Sequence, residues 1–229
     1  MTRTDDASRT GETSETSETS GTGETIETDA GTARITWHRA AEARLVLAVS
    51  HGAGGGIEAR DLRALAGTLP AHGVSVALVE QPWRVAGKKV APAPRTLDTG
   101  WRGVWPALAE QGLPVISGGR SAGARVACRT AVELGAAAVL ALSFPLHPPG
   151  KPERSRAAEL LGAGVPTLVV QGGNDPFGRP EEFPPGSYEL IEVPHADHGL
   201  AVPKRAPLGE EEALKIVTDG VTGWAASLG

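Results

Sequence analysis

A single cysteine, Cys128, occurs in the whole 229-residue chain, so no internal disulfide can form and the composition fits a reducing compartment. Aromatic residues make up only 4% and the formal net charge is −5, which argues against the basic, aromatic-bearing surface of a nucleic-acid binder. No apolar run approaches the roughly 20 residues needed to span a bilayer. No hydrophobic region of signal-peptide type precedes position 45. These absences predict a soluble, cytoplasmic protein without a nucleic-acid or membrane partner.

The acidity is local. Residues 1–30 hold nine Thr, four Ser and eight acidic residues against two Arg, with Glu-Thr-Ser repeated from Glu12. That segment carries a formal −6, so the remainder is nearly neutral at +1. Almost nothing in it can be buried, and a disordered tail is expected over residues 1–31, followed by one domain over 32–229.

Beyond the tail, short apolar runs alternate with amphipathic stretches. Strands are expected near 34–38, 45–50, 74–79, 114–118, 137–143, 166–171 and 188–193; helices near 58–70, 96–111, 121–134, 153–162 and 208–227. Continuous rather than alternating hydrophobicity in the strands predicts an α/β fold, a doubly wound and mostly parallel sheet covered by helices on both faces. Ligands in such sheets bind beyond the carboxyl ends of the strands.

Four motifs fall at those ends. Gly119-Arg120-Ser121-Ala122-Gly123 joins a predicted strand to a predicted helix, a setting in which Ser121 becomes a nucleophile on a sharp elbow. The elbow demands unusual backbone angles, and small flanking residues let helix and strand approach closely. Asp175 follows a later strand within Gln171-Gly172-Gly173-Asn174-Asp175-Pro176. His198 comes 23 residues further on, in Pro194-His195-Ala196-Asp197-His198-Gly199. Upstream, Leu45–Ser50 runs directly into His51-Gly52-Ala53-Gly54-Gly55-Gly56, a loop suited to aiming backbone N–H groups at an oxyanion.

These segments, together with Phe144-Pro145-Leu146-His147-Pro148-Pro149-Gly150, resemble a small, lidless, dienelactone-hydrolase-like subgroup of the α/β-hydrolase superfamily. The resemblance covers about residues 32–228. It implies a serine hydrolase acting on a small ester, thioester or lactone, with Ser121, His198 and Asp175 as catalytic triad and no cofactor. The oxyanion donors would be the N–H groups of Ala122 and of Ala53 or Gly54. The chain order Ser, Asp, His matches the superfamily. Only 54 residues separate Ser121 from Asp175, too few for a lid domain beside the expected helices and strand.

Other residues admit plainer readings. His195 competes with His198, but it lies outside the Asp-His-Gly loop that precedes the last helix. Asp197 reads as a loop-capping carboxylate and His51 as the anchor of its own loop. Cys128, two helical turns after Ser121, reads as a small buried hydrophobe. Lys88 and Lys89 read as solvated charge, whereas Trp83, Arg84 and Arg120 are candidates for the substrate rim, the two arginines holding a substrate carboxylate. No His or Cys pair has metal-ligand spacing, so no metal is expected. A different class of function stays open: a catalytically silent hydrolase fold used as an interaction module, with the acidic tail recruiting a partner.

Overall fold

The computed structural model describes residues 21–228. Eight strands form one sheet: β1 (Thr22–Thr28), β2 (Gly31–His38), β3 (Leu45–Ser50), β4 (Val74–Glu80), β5 (Val115–Arg120), β6 (Ala138–Leu142), β7 (Thr167–Gly172) and β8 (Glu189–Val193). The spatial order is β1-β2-β4-β3-β5-β6-β7-β8. β1 pairs antiparallel with β2, and β2 with β4; every pair from β4 to β8 is parallel. Among the described residues six α-helices accompany the sheet: α1 (Arg60–Thr68), α2 (Pro82–Val85), α3 (Pro94–Ala109), α4 (Ala122–Leu134), α5 (Ala157–Leu161) and α6 (Glu210–Ser227).

Strand periodicity divides the core in two. Side chains on successive residues point to opposite faces, so Leu45, Leu47 and Val49 face one layer while Val46 and Ala48 face the other. The first layer is filled by Leu62 and Leu65 from α1 and by Val217, Val221 and Trp224 from α6. The second is filled by Trp101, Val104 and Trp105 from α3 and by Val126, Cys128 and Ala131 from α4. Both faces are covered, which explains why the central strands are buried along nearly their whole length and mostly apolar. The expected doubly wound α/β architecture is therefore present, and the span between Ser121 and Asp175 holds α4, β6, α5 and β7 with no lid.

The strand order has a functional consequence. From β3 the chain crosses to β4 on one side, then returns to place β5 on the other side of β3. The loops leaving β3 and β5 therefore diverge over opposite faces and open a crevice between them. His51 and Ser121 begin those two loops.

Two elements differ from the expectation. α2 is a single turn led by Pro82, too short to show periodicity. More instructive is β1, which falls inside the stretch expected to be disordered through residue 31; the rest of that expectation, on residues 1–20, lies outside the described residues. β1 reads Thr-Gly-Glu-Thr-Ile-Glu-Thr, polar on both faces, yet it occupies an edge, where one ladder and one apolar residue suffice. It pairs along its full length with β2, from Thr22↔Trp37 to Thr28↔Gly31. The two-residue turn is closed by Thr28 Oγ1, which accepts from the Ala30 N–H at 3.1 Å, and by Gly31 at φ 110°. Glu24 accepts a hydrogen bond from Trp37 Nε1 at 2.9 Å, and Ile26 packs against the α3 layer. A chain starting at Asp29 should consequently melt roughly 5 °C below one starting at Gly21, a loss of about 1–2 kcal/mol for a domain of this size. Equal melting temperatures by calorimetry would show that β1 adds nothing.

Candidate active site

Backbone proximity shapes the elbow between β5 and α4. Ser121 caps α4 with φ 52° and ψ −108°, a conformation that L-residues rarely adopt. A Cβ on Gly119 would lie 2.2 Å from the Gly123 carbonyl carbon, and one on Gly123 would lie 2.8 Å from the Ser50 carbonyl oxygen. Glycine is thus required at both positions: at the first because the turn folds back on itself, at the second because it presses on the end of β3. The Ser121 N–H donates to the Leu142 carbonyl at 2.9 Å, tying the elbow to β6.

Ser121, His198 and Asp175 form one hydrogen-bonded chain. Ser121 Oγ lies 2.8 Å from His198 Nε2, and His198 Nδ1 lies 2.7 Å from Asp175 Oδ2. The partners assign the tautomer: Nδ1–H donates to the carboxylate, leaving Nε2 to accept from the hydroxyl. Asp175 is fully buried, and its remaining acceptor capacity is used by Gln171 Nε2 at 2.8 Å and by the Phe177 N–H at 2.8 Å. Phe177 also stacks on the His198 ring, with centroids 4.2 Å apart.

The loop carrying His198 is built locally. His195 and Leu200 both take positive φ, 63° and 52°, and between them Asp197 Oδ1 accepts the N–H groups of Gly199 and Ala201. Asp197 therefore caps the loop. His195 is exposed, on the outside of the turn. Gly172 admits the loop to the end of β7, since a Cβ there would lie 2.5 Å from the Ala196 carbonyl oxygen.

On the other side of Ser121 lies the loop after β3. A Cβ on Gly52 would sit 3.3 Å from that of Ser121. Ala53 and Ala122 line the same small recess, and their N–H groups have no hydrogen-bond acceptor among the described residues. Gly54 lies next along the loop, open to solvent. His51 holds the loop in place: Nδ1–H donates to the Gly52 carbonyl at 2.9 Å, and Nε2 accepts from the Gln81 N–H at 3.1 Å. Burial pushes the His51 pKa down, consistent with a neutral ring holding one donor and one acceptor.

The expected rim residues are placed differently from one another. Trp83 is buried at 5% exposure and packs edge-to-face with His51, 5.4 Å between centroids. α2 turns it inward beneath the loop, where it lines the same small recess as Ala53 and Ala122. It also lines a cleft of about 520 Å³ shared with Thr32, Gln81, Lys88 and Thr96. Arg84 pairs with Glu58 at 3.2 Å, and both side chains are solvated. Arg120 is corrected more sharply. Its guanidinium is committed to the fully buried Asp61, Nε to Oδ2 3.0 Å, and to the His198 carbonyl, Nη2 to O 3.0 Å. The Asp61 contact is off-line for a hydrogen bond, so it is a close charge pair. Burial pushes the Asp61 pKa up, with Arg120 opposing the shift. A cation so engaged is not free to hold a substrate carboxylate.

Several contributors escaped the motif reading. Gln171, Phe177 and Asp61 carry no pattern of their own; the glycine pair after β7 was the available hint for a close approach. His147, in the proline-rich segment after β6, pins that segment to the one after Asp175. Its Nδ1 meets the Pro148 carbonyl and its Nε2 meets Glu182, each at 2.9 Å, and the hydrogen bond to Pro148 leads in raising its pKa. Cys128 is buried and its thiol is pushed up to about 12 by desolvation, so it is an inert packing residue. Among the described residues no three His, Cys, Asp or Glu side chains converge as a metal-ligand set. No described helix is long and apolar enough to cross a membrane.

The sheet, its crevice and the lidless connection define an α/β-hydrolase fold. The chain belongs to the alpha/beta hydrolase domain family, whose model matches residues 41–226. No curated protein matches it in sequence. Among solved structures, a lidless α/β serine hydrolase from Xanthomonas campestris is similar at 17% identity and TM-score 0.69, over 90% of this chain and 95% of that one. Est1E from Butyrivibrio proteoclasticus is similar at 17% identity and TM-score 0.70, over 91% and 99%. A dienelactone hydrolase from Anabaena variabilis is similar at 19% identity and TM-score 0.69, over 90% and 97%.

The strained elbow predicts an unusual rank order. Ser121→Gly should be more stable than Ser121→Ala by about 1 kcal/mol, because glycine alone relieves the φ 52° conformation. Denaturant midpoints with equal slopes provide the comparison, and a more stable alanine variant would contradict the strain.

Proposed function

We propose that this protein is a serine hydrolase acting on a small ester, thioester or lactone. The observation that carries the reading is the 2.7 and 2.8 Å chain from Asp175 through His198 to Ser121, ending beside two unpaired N–H groups. In this mechanism Ser121 Oγ attacks the acyl carbon while His198 Nε2 takes its proton. Asp175 holds the ring in the tautomer that accepts there and stabilises the imidazolium that results. The carbonyl oxygen becomes an oxyanion received by the Ala122 and Ala53 N–H groups, with Gly54 as the alternative second donor, each worth roughly 3 kcal/mol.

Collapse expels the alcohol, thiol or tethered hydroxyl, which takes the proton from His198 and leaves an acyl-Ser121. Water, deprotonated by the same nitrogen, then attacks the acyl carbon and restores the serine. The hydroxyl proton of Ser121 thus departs with the leaving group, a proton from water passes through His198 to replace it as the carboxylic acid is released, and no cofactor enters. The lidless site and the largely apolar residues around Trp83 favour a small substrate, because each methylene gains about 0.8 kcal/mol only where protein covers it.

A fluorophosphonate probe should modify the protein at Ser121, and Ser121→Ala should abolish both labelling and ester hydrolysis. His198→Ala should lower kcat/KM for an activated ester by about a thousand-fold or more, whereas His195→Ala, on an exposed ring, should change it less than three-fold. A wild-type protein that is neither labelled nor active would favour the silent-scaffold reading, and a larger loss at His195 would overturn the assignment of the base.

A further inference from the structure

Arg120, the neighbour of Ser121, has a guanidinium tied to two separate elements around the site. It leaves the end of β5, reaches α1 and the His198 loop at once, and passes close to the loop after β3. Its Nη2 donates to the His198 carbonyl at 3.0 Å, and its Nε lies 3.0 Å from Asp61 Oδ2. The two loops bring glycines against the guanidinium: a Cβ on Gly199 would sit 3.5 Å from Nη2, and a Cβ on Gly52 would sit 3.8 Å from Nη1. One planar side chain therefore hydrogen-bonds the loop that carries the candidate base and lies close beside the loop that carries the candidate oxyanion donors.

We infer that Arg120, held by the buried carboxylate of Asp61, is a positioning residue that fixes the His198 loop relative to Ser121. The inference rests on the hydrolase reading above. The His198 loop follows β8, the edge strand, so the sheet supports it from one side only. Asp197 shapes the loop internally but does not attach it to the elbow. The attachment runs through Arg120, the residue directly before the nucleophile. A displacement of His198 by about 1 Å is enough to lose rate heavily in a reaction that needs aligned donor and acceptor.

Asp61 completes the device. A guanidinium 16% exposed and next to His198 would, if unpaired, oppose formation of the imidazolium; a fully buried carboxylate on α1 cancels that charge. Lysine is no substitute, because a single ammonium lacks the fork that meets Asp61 and the His198 carbonyl together.

The test separates positioning from mere stability. Arg120→Met should lower kcat for p-nitrophenyl acetate at least ten-fold with KM within two-fold, and should also lower the melting temperature by leaving Asp61 unpaired. Adding Asp61→Leu removes the second charge, so the double variant should regain most of the lost melting temperature while kcat stays at least ten-fold down. Recovery of kcat together with stability would overturn the inference, since Arg120 would then act through folding alone. If either variant fails to fold, Arg120→Lys keeps the charge pair and should still lose about ten-fold in kcat; full activity there overturns the inference as well. Hydrogen exchange over residues 196–201 gives a readout independent of turnover. It should speed up in the double variant, and unchanged protection would overturn the inference even if wild-type protein resists the fluorophosphonate, a result that by itself sinks only the hydrolase reading.

Discussion

The contact of three backbone segments at the ends of β3 and β5 governs the geometry of everything around it. Gly119 and Gly123 let the elbow close on itself and on Ser50, and no side chain fits between them. Ser121 is left at the apex with its backbone in a strained region and its hydroxyl projecting into the crevice of the strand order. Strain of this kind costs about 1–3 kcal/mol and persists only where surrounding structure over-determines it. Here the determinants are the hydrogen bond to Leu142, the parallel ladder with β3 and the packing of α4 on the sheet.

From that fixed point the two flanking loops are held by different means. The loop after β3 is pinned by a neutral, buried His51 that uses both ring nitrogens, one toward its own loop and one toward Gln81. The His198 loop relies on Asp197, on Gly172 beneath it and on Arg120 across from it. His51 has both ring nitrogens hydrogen-bonded, whereas Arg120 and Asp61 compensate each other as a close charge pair without an in-line hydrogen bond, so the buried charges of the site are not left isolated.

Much of the fold was legible because its signals are repeated. The central strands β3, β4 and β6 announced themselves as apolar runs because both faces of the sheet are covered and every residue but the last of β4 is buried, whereas β2 and β8, nearer the edges, carry polar residues among their apolar ones. β1 was hidden by its own composition: an edge strand with one partner needs little apolar surface, and Thr and Glu also fill disordered tails. Ser121, Asp175 and His198, read from loop motifs, do meet in space, and Gly119 and Gly123 marked the elbow because steric exclusion leaves a glycine signature. Arg120 was misread as a rim cation. Its partner Asp61 lies 59 residues earlier, in a helix whose first turn carries an acidic residue for ordinary dipolar reasons, so nothing local distinguished a buried counter-ion from a solvated one.

That misreading points to a general feature of the architecture. A doubly wound sheet gathers its site from loops far apart in sequence, so the groups that support the site are also far apart, and pairwise chemistry appears only when the strands are ordered. Asp61 on α1 and Gln171 on β7 belong to opposite halves of the chain, yet each serves the same imidazole. Gln171 does so through the carboxylate at Nδ1, and Asp61 does so through the guanidinium at the backbone carbonyl. The ring is thereby restrained at its side chain and at its main chain by two independent polar contacts. A side chain held at one end alone retains rotation about the other, and restraint at both ends is what leaves Nε2 a single direction in which to face Ser121.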